Sequence, residues 1–157
     1  MRTKYYIAYG SNLNVEQMRS RCPHATIVGT ATIKDYELLF KGSKTGSYLT
    51  IEPKVGGEVP VAVWNTTTGD ERNLDRYEGF PAFYYKKEME LSVANIKGTK
   101  STRRTCYMYI MHEERSLGAP SWYYVNTCLE GYKKFGFDAK FLYDAIARSV
   151  GGESNED

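Results

Sequence analysis

Histidine occurs only twice in the 157 residues and cysteine only three times, and neither type clusters. His24 and His112 stand alone, which argues against a histidine-based triad or a three-histidine metal centre. Cys22, Cys106 and Cys128 are odd in number, widely spaced and free of any C-x-x-C pair. Neither a zinc ribbon nor a disulfide framework is expected from them. No segment approaches the roughly 18 consecutive apolar residues of a spanning helix. The N-terminus lacks a secretory leader's apolar stretch. The expectation is a cytoplasmic protein in a reducing setting, with no membrane partner. Charge of one sign is also missing: the net charge is +2, which does not call for a nucleic-acid partner. Several catalytic signatures are absent. There is no G-x-S-x-G elbow, Gly42-Ser43-Lys44-Thr45 lacks the Gly-Lys pair of a P-loop, and His112-Glu113-Glu114 lacks the second histidine of a zinc-protease helix. No metal and no organic cofactor is expected.

What is abundant is tyrosine, with 14 residues against six Phe and two Trp. Tyrosine suits half-buried strands and carries a hydroxyl that wants a partner. A β-rich core with polar edges and a cavity lined by phenols both fit that count. The hydrophobic fraction of 41% and charged fraction of 25% are ordinary for a globular chain. One domain over residues 1–150 is expected, followed by a disordered tail at 151–157.

Strand-like runs cover residues 4–9, 26–33, 36–40, 48–51 and 59–64, with a turn at Gly56-Gly57 and an edge or bulge at Pro60. Residues 84–93 and 105–111 read as a long hairpin with a polar, basic tip. Helices are expected at 14–21, from a cap at Thr68 through Leu74 and Tyr77, and twice after Ser121. There Trp122, Val125, Leu129 and Tyr132 fit one helical face, and Phe141, Leu142, Ala145 and Ile146 another. The order predicts an α+β single domain: a small mixed β-barrel, or strongly curved sheet, with surrounding and C-terminal helices.

Two local features carry chemistry. The run Tyr6-Ile7-Ala8-Tyr9 ends in Gly10-Ser11-Asn12-Leu13, and Asn14 with Gln17 opens a helix. A strand, a glycine turn and a helix start aim backbone N–H groups at one spot, where an anion or a polarised carbonyl oxygen can sit. Glu78 ends a predicted helix between aromatic residues. The negative end of the helix dipole and loss of water both raise a carboxyl's pKa, as a general base near neutrality requires.

Together these motifs resemble the γ-glutamylcyclotransferases. Tyr9-Gly10-Ser11-Asn12-Leu13 is followed about 65 positions later by Leu74-Asp75-x-x-Glu78-Gly79. Tyr84-Tyr85, the strand Cys106-Tyr107-Met108-Tyr109-Ile110-Met111, and Pro120-Ser121-x-x-Tyr124 then follow in order. The resemblance spans residues 5–146. It implies a compact mixed barrel and a cavity in which the turn faces Glu78. It also implies a small γ-glutamyl amide as substrate, whose own α-amine closes a 5-oxoproline ring. Glu78 is then the general acid/base. Tyr9, Gly10, Ser11, Asn12, Leu13, Tyr85, Tyr109 and Tyr124 bind substrate, and a homodimer is expected by analogy. Tyr77 departs from the pattern, since some members carry Gln there. Strand neighbours face opposite sides, and the resemblance favours Tyr85 over Tyr84 for the cavity.

Two other classes compete. A non-catalytic binding module could share the fold. A nucleic-acid-binding barrel could use Lys97, Lys100, Arg103 and Arg104 in one loop, Lys41 and Lys44 in another, and tyrosines that stack on bases. Against the latter, acidic residues break any continuous basic track.

Overall fold

The computed structural model describes residues 2–42 and 46–154. Five strands close into a barrel: β1 (Thr3–Ala8), β2 (Thr26–Lys41), β3 (Tyr48–Thr67), β4 (Tyr84–Asn95) and β5 (Ser101–Met111), in the spatial order β1-β3-β2-β4-β5. Among the described residues four α-helices surround it: α1 (Val15–Arg21), α2 (Thr68–Glu78), α3 (Trp122–Phe135) and α4 (Lys140–Ser154). All pairings are antiparallel except β1 with β5, which closes the barrel in parallel at Tyr5↔Cys106 and Tyr6↔Tyr107. The α+β barrel expected from the order of elements is thus the observed fold.

The long strands differ from the sequence reading. The runs at 26–33 and 36–40 are one strand, β2, and those at 48–51 and 59–64 are one strand, β3. Gly56-Gly57 does not make a hairpin turn. It sits in an irregularity where the register jumps from Lys34↔Glu58 to Tyr36↔Pro53. Asp35, at φ 62°, accepts a hydrogen bond from the Gly56 N–H at 3.0 Å there. A bulge of this kind bends the pair and lets two long strands wrap around a small barrel. Pro60 pairs with Thr32 on β2 and lies beyond the end of β1. Its missing N–H therefore costs no ladder bond on the other side.

The interior is apolar, with Trp64, Phe40, Leu38, Ile51 and Met108 almost wholly buried. The expected face of the first C-terminal helix holds only in part, while that of the second packs on the core. Val125, Cys128 and Tyr132 bury against the barrel, whereas Trp122 is 70% exposed. Helix α2 starts one residue earlier than expected. Thr67, not Thr68, is its cap, and Asp70 rather than Glu71 completes the capping box. The last helix continues to Ser154, into the segment expected as a tail, and residues 155–157 lie outside the described residues. Of the 42–47 loop, Ser43, Lys44 and Thr45 lie outside them too, so the P-loop comparison and Lys44 receive no structural account. Among the described residues no helix is long and apolar enough to cross a membrane.

Candidate active site

At the C-terminal end of β1 the chain leaves the barrel through Tyr9 and Gly10 and winds into a short 3-10 turn, Ser11–Leu13. The Leu13 N–H bonds to the Gly10 carbonyl and the Asn14 N–H to the Ser11 carbonyl, both at 3.0 Å. In a 3-10 turn the first donors engaged lie three residues along. The Ser11 and Asn12 N–H groups precede them, and the first donors of a helical turn have no partner within it. Asn14 then serves twice. Its Oδ1 caps α1 by accepting from the Gln17 N–H at 3.1 Å, and its Nδ2 donates to the Thr127 carbonyl and to Glu130 on α3. Leu13 is fully buried against Gly131 of α3. A Cβ built at Gly131 would lie 2.4–2.6 Å from Leu13 atoms. Only glycine lets α3 approach this closely, and burying Leu13 there contributes about 1.5–3 kcal/mol.

On the facing side, α2 ends at Glu78. Gly79 takes the left-handed conformation at φ 66°, and its N–H and that of Phe80 return to the Arg76 and Asp75 carbonyls. This cap stops the helix with Glu78 at its rim. The two halves meet through the Ser11 hydroxyl, 3.0 Å from the Tyr77 hydroxyl. Between them lies a chamber of about 220 Å³. Its lining includes Tyr9, Gly10, Ser11 and Asn12 from the turn, Glu78 from α2, and Tyr109 and Tyr124. Seven of the nine residues expected at the site therefore share one cavity.

Two do not. Leu13 is core, and its N–H is engaged by Gly10. Tyr85 faces away from the chamber. Its hydroxyl donates to Glu113 at 2.5 Å, and its ring packs 5.2 Å from His112. Tyr84 lines the chamber instead. The hairpin register gives the reason. Tyr84 pairs with Met111 and Tyr85 with Ile110, and cross-strand partners share a face. Tyr109 and Met111 are two apart on β5, so Tyr109 and Tyr84 point to the same side. Tyr109 was already expected in the cavity, so this register was the signal that separates Tyr84 from Tyr85.

The chamber's phenols are anchored. Tyr9 donates to the Tyr109 carbonyl at 2.5 Å, and Tyr84 to the Leu49 carbonyl at 2.9 Å. Tyr124 accepts from the Leu49 N–H at 3.1 Å. Tyr109 donates to Asp75 at 2.6 Å, and Asp75 is also ion-paired with Lys86 at 2.9 Å. Burial holds the Tyr9, Tyr84, Tyr109 and Tyr124 hydroxyls well above the usual phenol range. They remain protonated and act as donors and acceptors rather than as bases.

Among the described residues, Glu78 is the one carboxylate in the lining. Loss of water raises its pKa to about 7, and the positive charge of Arg21 offsets part of that rise. Arg21, the last residue of α1, was not singled out from sequence. Its Nη1 donates to Asn12 Oδ1 at 2.5 Å and its Nη2 to Gln17 Oε1 at 2.7 Å, and the guanidinium lies 3.6 Å from the Tyr77 ring centroid. Asn12 in turn donates to the Tyr6 hydroxyl at 2.9 Å. The site thus combines a carboxyl with a pKa of about 7 and a tethered helical turn whose first N–H groups lack partners within it, in a space walled by aromatic rings. Such a combination suits proton transfer beside a developing oxyanion.

Similarity to known proteins agrees with this geometry. Residues 6–126 match the family described as Gamma-glutamyl cyclotransferase, AIG2-like. The Gamma-glutamylcyclotransferase of Homo sapiens is 32% identical over 143 residues, covering 87% of this chain and 73% of the human protein. A solved structure of a Gamma-glutamyl cyclotransferase superposes with a TM-score of 0.77 at 26% identity, over 93% of this chain and 88% of that one. A human protein solved as uncharacterized gives 0.74 at 30% identity, over 94% and 88%. With a matching barrel and most of its length aligned, this chain belongs to the gamma-glutamyl cyclotransferase, AIG2-like family and is an enzyme of the cyclotransferase type.

Proposed function

We propose that the chain releases 5-oxoproline from a γ-glutamyl amide and that Glu78 moves the proton. The observation that carries this reading is the position of Glu78: a carboxyl with a pKa of about 7, in the same small chamber as the Gly10–Asn12 turn. The γ-carbonyl oxygen of the substrate sits on the Ser11 and Asn12 N–H groups. Ionised Glu78 takes a proton from the substrate's α-ammonium. The freed amine attacks the γ-carbonyl carbon, a C–N bond forms, and the turn holds the oxyanion. Glu78 then gives its proton to the leaving nitrogen as the original amide bond breaks. The second proton of the attacking nitrogen passes to the departing amine, so the products are the neutral five-membered lactam and an ammonium, and no proton is gained or lost overall.

The nucleophile belongs to the substrate, so no activated Ser or Cys is needed. A chamber of about 220 Å³ favours a folded substrate. Holding amine and carbonyl in near-attack geometry is worth up to about 7–11 kcal/mol in well-oriented intramolecular reactions. One oxyanion donor typically contributes about 3–4 kcal/mol. Tyr84, Tyr109 and Tyr124 supply fixed hydroxyls and ring faces around the substrate. The three cysteines are all free and buried, which supports a reducing, cytoplasmic setting. The deciding experiment incubates purified protein with γ-glutamyl-alanine and measures 5-oxoproline. Wild-type release that vanishes in Glu78→Gln supports the assignment, and equal release by both proteins overturns the role of Glu78.

A further inference from the structure

The inner chamber does not end at the turn. A second cleft, about 440 Å³, shares Ser11, Tyr48, Tyr77 and Tyr124 with it, so the two adjoin at these four side chains. The contact between the Ser11 and Tyr77 hydroxyls marks the threshold. The inner part carries Glu78 and the outer part carries Arg21, the only charged side chain among the described residues that line the cleft. Among the described residues no carboxylate lies within ion-pair distance of Arg21. Its guanidinium is nonetheless held in place, by Asn12 and Gln17 through neutral oxygens and by the Tyr77 ring. An arginine offers five donors, and two of its nitrogens are engaged once each. The remaining donors belong to a cation that is pre-positioned and not neutralised.

A γ-glutamyl amide bound with its glutamyl part in the inner chamber can extend the rest of the molecule past Ser11 and Tyr77 into this cleft. We propose that the outer cleft is the leaving-group subsite and that Arg21 selects amides whose leaving amine carries a carboxylate, as an amino acid does. The proposal rests on the cyclotransferase reading of the inner chamber. An arginine fork matches a carboxylate in charge and geometry. A simple alkylamine offers it nothing and leaves the cation's free donors in water. Because the contact is made before and during reaction alike, it belongs to KM more than to kcat.

The test compares γ-glutamyl-alanine with γ-glutamyl-ethylamide, which has the same reacting atoms and no leaving-side carboxylate. Wild type is expected to favour the alanine compound. In Arg21→Met the ratio of the two kcat/KM values is expected to fall by about 10- to 100-fold, the range for a hydrogen bond to a charged group, with the change mostly in KM. Arg21→Lys, which keeps the charge without the fork, should restore part of the ratio. An equal loss on both substrates would show that Arg21 acts only through Asn12 on the turn, and would overturn the leaving-group assignment. A wild type that prefers the ethylamide would overturn it as well. Release of 5-oxoproline from neither compound would instead overturn the reaction reading beneath it.

Discussion

The Ser11 hydroxyl sits 3.0 Å from the Tyr77 hydroxyl, joining the turn after β1 to the end of α2 across 66 positions of sequence. Tyr77 is adjacent to Glu78, so this contact sets the proposed oxyanion turn and the proposed base on facing walls of one chamber. The same tyrosine carries the Arg21 guanidinium on its ring. Turn, base and outer cation are therefore built as one unit rather than as three separate devices.

Replacing Glu78 by Gln keeps the shape of the chamber and removes the proton carrier. Turnover is expected to fall by about 10²- to 10⁴-fold, the usual contribution of general acid–base catalysis. Quantified 5-oxoproline release checks the rate, and an unchanged circular dichroism spectrum checks the fold.

The raised pKa of Glu78 fixes a pH dependence with a definite sign. The base works ionised, so kcat/KM should fall on the acid side with an apparent pKa of about 7. Stability runs the other way. The folded pKa lies above that of the unfolded chain, so the contribution to stability is full below the unfolded value and is lost as pH rises through about 7. Glu78→Gln should thus be more stable than wild type at pH 8, by up to about 3 kcal/mol at 1.36 kcal/mol per pKa unit. That gain should disappear at pH 4, and urea melts at the two pH values measure the difference.

A side chain at Gly10 would crowd the cavity rather than the core. Its Cβ would lie 3.1 Å from the Tyr124 hydroxyl and 3.5 Å from Leu49 Cβ. Gly10→Val is expected to abolish turnover while costing about 1–3 kcal/mol in stability, as small-to-large changes usually do. A folded variant with unchanged kcat/KM would remove the turn from the mechanism.

Gly131 is a contrasting case. Any Cβ there meets Leu13 backbone and side chain at 2.4–2.6 Å. Gly131→Ala should lower the melting temperature and reduce turnover together, because α3 can no longer press Leu13 into place. Full activity with an unchanged melting temperature would show that the turn holds itself.

The adjacent tyrosines of β4 should separate cleanly. Tyr84→Phe removes the bond to the Leu49 carbonyl inside the chamber, with an expected stability loss of about 1 kcal/mol and altered KM. Tyr85→Phe removes only a surface bond to Glu113, and kcat and KM should both stay within about twofold of wild type, since surface changes are mostly small. Steady-state kinetics on γ-glutamyl-alanine for both variants decides it.

Much of this was legible in the chain itself. The apolar run before Gly10, the Asn14 cap, the long hairpin and the periodic C-terminal helices follow from local chemistry, because strand period, turn residues and caps act within a few positions. The proximity of the turn to Glu78 was not local; the family motif supplied that expectation. Other features lay beyond local patterns. The Gly56-Gly57 pair resembles a turn by composition, but the pairing of β2 with β3 turns it into a bulge. Tyr84 and Tyr85 are indistinguishable until the register with Met111 and Ile110 assigns their faces. Leu13 looks like part of the turn, but the glycine at 131 draws it into the core. Arg21 acquires its setting only when α2 brings Tyr77 and the turn brings Asn12 against it. Local sequence determined which elements form and which residue types could do chemistry. Tertiary structure alone decided which of them face one cavity, because strand register and helix docking depend on contacts between residues tens of positions apart.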